Sequence, residues 1–198
     1  MKALHLQKDL DQIRKIMKGN LINNRQIIDL IDKSLIKILP NFDEELLQIA
    51  QYPLTPKNIF TIEQGISKKV FSFNDSNKFF LLQPNTYYLI ETFEAIILSK
   101  DIVGRFINSS LIIEKGLILS AGKIEFPYGS NNEKIRFGLY NALNNEVALS
   151  HKDRIAYVEF FDFRSLENNK YNLTKIDKEL YNKRRIRAED DGPNYENE

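Results

Sequence analysis

The residue types that could do chemistry in this chain are few. They are the paired hydroxyls Ser109-Ser110, the cation and carboxylate Lys123 and Glu125, the ring of Tyr157, and the basic cluster Lys183-Arg184-Arg185-Ile186-Arg187. Serine hydroxyls donate to phosphate oxygens, and serines between apolar strands also build turns. Lys123 can pair with Glu125 or with a phosphate. The cluster at Arg184, Arg185 and Arg187 is suited to clamping a triphosphate, or it is a solvated charge run. Tyr157 can pack, or offer a stacking platform to a planar ring. His5 and His151 are far apart in sequence and suggest no metal site.

Composition narrows the classes. With 198 residues the chain can bury one good core. Its 28 Lys plus Arg against 27 Asp plus Glu leave a formal net charge of +1. Nucleic acid and anionic membrane surfaces are therefore not expected as partners, and anion binding must be local. With 0 cysteines, disulfides, thiolate catalysis and Cys-ligated zinc are excluded. The first residues lack the apolar core of a signal peptide, and no apolar run approaches the roughly 18 residues of a membrane span. A soluble cytoplasmic protein is the expectation.

The elements that must position these residues change character along the chain. Leu6, Leu10, Ile13 and Met17 recur at helical spacing, so residues 1–20 form an amphipathic extension with a helix from Leu4 to Met17. A second helix is predicted after Asn23-Asn24, either of which can cap it. Its apolar stripe is Ile27, Ile28, Ile31 and Leu35, and Pro40-Asn41 breaks it. From Ile59 to Phe163, short runs rich in Ile, Val, Phe, Tyr and Leu alternate with Asn, Ser, Gly and Pro clusters, which predicts a jelly-roll or similar β architecture. Residues 21–164 are expected to form the β domain, and 165–198 a polar arm without its own core.

Several motifs in this order resemble the dCTP deaminase and dUTPase superfamily. They are Val103-Gly104-Arg105, Asn108-Ser109-Ser110-Leu111, Gly122-Lys123-Ile124-Glu125 and Asp153-Arg154-Ile155-Ala156. Gln48-Ile49-Ala50-Gln51-Tyr52-Pro53-Leu54 is similar to the deaminases' Q-P-x-S-Y-D-L signature, with Gln51 and Pro53 replacing its hydroxyl residue and its Asp. Phe80 to Leu89 resembles the F-x-L-x-P-G-x-x-x-L strand pair of both branches. The resemblance implies a mainly β, dUTPase-like distorted jelly-roll barrel with N-terminal helices, assembled as a homotrimer with pockets between subunits. It also implies a pyrimidine deoxynucleotide ligand held by Ser109, Ser110, Lys123, Ile124 and Tyr157. The basic arm is expected to close over that ligand, and Mg2+ enters only if the ligand is a nucleoside triphosphate.

The departures fall where the chemistry should be. In the deaminases a Glu in an L-E-L-x-N strand activates water; here the strand reads Phe137-Gly138-Leu139-Tyr140-Asn141. The loop arginines of R-S-S-L-x-R are replaced by Asn108 and by Ile113 or Glu114. In dUTPases an Asp of the G-x-I-D hairpin orients water. Glu125 keeps that carboxylate one methylene further out, which misplaces a base that needs close positioning, so Glu125 is the one catalytic candidate. Three readings follow: a nucleotide-binding module with lost or weakened catalysis, an active dCTP deaminase or dUTP diphosphatase using displaced carboxylates such as Glu125, Glu133 or Glu114, and a non-enzymatic interaction trimer.

Overall fold

The structure is a computed structural model that describes residues 21–74, 76–126 and 134–163. The predicted helix from Leu4 to Met17, the turn carrying Glu133, and the basic arm with Arg184, Arg185 and Arg187 lie outside these residues. The mainly β architecture expected from the sequence is found.

The described chain opens with helix α1 (Asn24–Asp32). Asn23 caps it, accepting from the Gln26 amide at 3.1 Å while the Gln26 side chain accepts from the Asn23 amide at 3.0 Å. Of the expected stripe, Ile27 is fully buried and Ile31 and Leu35 pack partly buried against the core, and Leu30, not expected, is buried with them. The helix ends at Asp32, before Leu35, and Ile36–Leu39 is already strand β1, so Pro40 does not terminate the helix.

Eleven further strands follow: β2 (Gln51–Leu54), β3 (Pro56–Glu63), β4 (Ile66–Ser72), β5 (Phe79–Leu82), β6 (Tyr87–Leu98), β7 (Ile102–Asn108), β8 (Leu117–Ser120), β9 (Lys123–Glu125), β10 (Lys134–Asn141), β11 (Val147–Ser150) and β12 (Ala156–Asp162). Strands thus begin at Ile36 and Gln51, earlier than the composition shift at Ile59, and β6 is long at 12 residues. A one-turn helix, α2 (Ser110–Glu114), follows β7. Several turns among the described residues take a left-handed backbone. Gln64 and Gly65, with φ of 53° and 82°, make the β3–β4 hairpin turn. Asn85, with φ of 51°, stands where the resembling motif has glycine, and asparagine is among the residues that tolerate that region.

One sheet runs β4-β3-β6-β10-β8, with β1 also paired to β6; a second runs β2-β12-β7-β9, and β5 pairs with β11. The two larger sheets face each other across the core. Phe106 of β7 meets Phe137 of β10 edge to face, ring centroids 5.0 Å apart. Every second residue of β12, from Ala156 through Val158 to Phe160, is fully buried, as the two-residue period of a half-covered strand requires. Gly104 sits beneath the β9 hairpin because a Cβ there would lie 2.7 Å from Ile124 and 3.1 Å from Val158.

The pairing of β6 with β10 shifts between Lys134 and Arg136. Beside this irregularity the Thr92 hydroxyl reaches the Ile135 carbonyl at 3.3 Å, and Glu94 is buried between the sheets. The Glu94 carboxylate accepts from the Thr55 amide at 2.9 Å and the Thr55 hydroxyl at 2.8 Å. Burial raises its pKa above the usual carboxylate range, and the Thr55 bonds only partly oppose the shift. A carboxyl whose folded pKa is raised binds more protons folded than unfolded, so it lowers stability as pH rises from about 4.3, the unfolded value, through the raised one. Unfolding titrations of Glu94→Gln at several pH values should show a flatter decline over that window than the parent protein; equal slopes would rule the group out as a source of pH dependence.

Candidate functional site

The four-stranded sheet carries several of the residues named from sequence on its outer face. Pairing aligns Lys123, Arg105 and Glu159 in one row across β9, β7 and β12. It aligns Tyr157 with Ile107 and Pro53 in another. Arg105 donates to one oxygen of Glu159 from Nε at 3.0 Å and Nη2 at 2.6 Å, and its guanidinium stacks 5.1 Å from the Phe161 ring centroid. Its part is to tie β7 to β12. Lys123 donates to Glu125 at 2.9 Å in an exposed pair on one short strand, and the side chain between them, Ile124, is buried. Tyr157 is half-buried on the outer face.

The serine pair divides. Ser109 is 1% exposed and caps α2, accepting from the Ile112 amide at 3.3 Å while its hydroxyl donates to the Arg154 carbonyl. Donor and acceptor are both engaged inside the fold, whereas Ser110 is exposed. The later motif is likewise built into the scaffold. Asp153 accepts from Lys115 at 2.6 Å and from the Ser150 amide at 2.9 Å, fixing the turn into β12.

Position 138 lies elsewhere, on the outer face of the six-stranded sheet, paired with Leu89 of β6 and Ser120 of β8. The space above Gly138 is already taken. A Cβ built there would collide with the Tyr87 hydroxyl oxygen and lie 2.7 Å from Tyr87 Cζ. Tyr87 is one diagonal step away, directly opposite Tyr140, which in turn faces Ile118. Sequence reasoning missed Tyr87. It occupies a variable position of the resembling motif, and only the β6–β10 register brings it over Gly138.

The signature near β2 sorts by face. Tyr52 and Leu54, which match the resembling motif, point into the core, whereas Pro53, a departure, lies in the Tyr157 row of the outer face. Burial raises the Tyr52 pKa, and its hydroxyl oxygen accepts from the Asp43 amide at 3.3 Å. Pro53 is nonetheless buried like its two neighbours, so burial alone does not separate the retained residues from the replaced one.

Carboxylates do not gather for a cation. Position 53 offers none, Glu125 is paired with Lys123, and among the described residues no group of three His, Cys, Asp or Glu side chains converges. The described residues do not form a set that fits a protein-held magnesium ion. No described helix is long and apolar enough to cross a membrane.

No family model matches the chain. Curated relatives do. The chain is 28% identical over 134 residues to a dCTP deaminase of Thermococcus kodakarensis, covering 68% of this chain and 81% of the relative. It is 29% identical over 134 residues to a dCTP deaminase of Pyrococcus abyssi, covering 68% and 82%. In fold it is similar to the 2'-deoxycytidine 5'-triphosphate deaminase of Agrobacterium tumefaciens, with a TM-score of 0.59 and 11% identity, over 72% of this chain and 48% of that one. The chain is thus similar in sequence to dCTP deaminases and in fold to one of them. Against the deaminase pattern, a glycine stands at position 138, beneath Tyr87, where the resemblance associates a carboxylate with deamination.

Proposed function

We propose that this protein, which is similar to dCTP deaminases, binds a nucleotide, a pyrimidine deoxynucleoside triphosphate by preference, and does not deaminate it. The single observation that carries this reading is Gly138 with the Tyr87 phenol over it. A position that needs a general base has no side chain, and the volume a base would occupy is filled. The similarity to dCTP deaminases supports a nucleotide as ligand and a homotrimer with sites between subunits as the assembly. On this reading Ser110 and Lys123 are the described groups that meet phosphate, Tyr157 walls the pocket, and Arg184, Arg185 and Arg187 add positive charge from the arm; Ile124, expected to meet the ligand, is instead packed into the core and supports the strand from below. Ser109 holds the loop that presents Ser110. Glu125, paired to Lys123, is expected to hold that lysine rather than to activate water. Magnesium would arrive on the triphosphate and stay with it.

Thermal unfolding with and without each deoxynucleoside triphosphate tests the binding. A ligand at 100 times its dissociation constant stabilises by about 2.7 kcal/mol, and mass spectrometry of what heat releases should recover it unchanged. No stabilisation by any nucleotide would move the assignment to the interaction trimer.

A further inference from the structure

The surface around Gly138 has a composition that names its ligand group. Ile118, Tyr140 and Tyr87 lie side by side across β8, β10 and β6, with Ile118 58% and Tyr87 44% exposed. This row of two phenol rings and one aliphatic side chain carries no charge. The ion pair of Arg136 with Glu91, joined at 2.8 Å, lies further along the same two strands, and the Arg136 guanidinium rests 4.5 Å from the Phe60 ring centroid. The rim beside the tyrosines is made of amides. Asn85 donates to Asn144 Oδ1 at 3.2 Å, and Tyr140 reaches Asn85 Oδ1 at 3.4 Å.

We infer that Tyr87, flanked by Tyr140 and Ile118, is the residue on which the base of the bound nucleotide stacks. This inference rests on the nucleotide-binding reading above and specifies how the base is recognised. An uncharged, flat, aromatic surface excludes phosphate as the group it takes and suits a planar heteroaromatic ring, because every base has a π-face. Amide side chains supply both donors and acceptors, which is what the polar edge of a base requires. Gly138 is part of the arrangement: any side chain there would displace the Tyr87 ring. The position that resembles the deaminases' catalytic one therefore serves to seat a base, which stacking on Tyr87 does without choosing among rings.

Calorimetric titration of the full chain with dCTP, dUTP, dATP and inorganic triphosphate tests this, comparing the parent protein with Tyr87→Ala and Tyr87→Phe. Loss of one stacked base should weaken nucleotide binding by roughly 5- to 100-fold in Tyr87→Ala. Tyr87→Phe should remain within about twofold of the parent protein, because the ring is kept. The affinity for inorganic triphosphate should be the same in all three, a result that a general structural defect would not give. Equal nucleotide affinity in the parent protein and Tyr87→Ala overturns the inference and leaves the nucleotide reading standing. A change of oligomeric mass in Tyr87→Ala by sedimentation, with nucleotide affinity unaltered, also overturns it and assigns the row to a subunit contact. Absence of nucleotide binding by the parent protein removes both.

Discussion

Purified protein supplied with dCTP is expected to form dUTP at least about 100-fold more slowly than the Thermococcus kodakarensis dCTP deaminase under the same conditions. Loss of a general base costs about two to four orders of magnitude in rate, and the described residues offer no substitute at the right place. Glu91 is the nearest carboxylate along β6 on that face, and it is held by Arg136 and by the Asn58 amide at 2.6 Å. Glu125 is on the other sheet and bound to Lys123. Introducing a carboxylate as Gly138→Glu should not restore activity, because its Cβ would fall on the Tyr87 phenol and the loop arginines remain replaced by Asn108 and by Ile113 or Glu114. Product release by the parent protein within about tenfold of the reference enzyme would end the non-deaminating reading.

The largest loss of stability is expected from Asn141→Ala, about 3 kcal/mol or more. Asn141 is fully buried at the end of β10. Its amide nitrogen donates to the carbonyls of Leu82 at 3.0 Å, Gln83 at 3.1 Å and Asn145 at 2.9 Å, and its oxygen accepts from the Leu143 amide at 3.0 Å. One side chain thereby satisfies the end of β5 and the turn that leads to β11. Alanine leaves several buried backbone groups without partners, each at the cost of desolvation. Asn141→Asp keeps the acceptor but sets a carboxylate against the three carbonyls, so at neutral pH it should destabilise at least as much. Urea unfolding with an unchanged slope and a lowered midpoint is the readout, and a loss below about 1 kcal/mol would show that water can take over these bonds.

Both results bear on why the chain keeps its architecture while its surface chemistry departs. Asn141, Tyr52, Leu54, Ser109 and Asp153 match the resembling motifs and are all engaged within the fold, by burial or by hydrogen bonds. Core packing penalises changes of even one methylene, so these positions tolerate little. Pro53, Asn108 and Gly138 depart from the motifs. Asn108 is exposed, whereas Pro53 and Gly138 are on the sides of their sheets away from the core and are covered there, Gly138 by Tyr87.

The sequence by itself determined the mainly β class, a helix cap at Asn23 or Asn24, the likeness to dCTP deaminases that its motif order pointed to, and the glycine at position 138. Those depend on residue identity and on local period, which can be read along one dimension. It misjudged the extent of α1 and the first strands, because Leu35 to Leu39 is apolar enough for either helix or strand and only pairing with β6 decides. Only the tertiary structure decided that Ser109 is consumed as a cap, that Lys123 and Glu125 satisfy each other, and that Tyr87 covers Gly138. Each of these is a question of which atoms meet across strands or turns. A two-residue strand period fixes the face of a side chain, and only the register between strands fixes its neighbour.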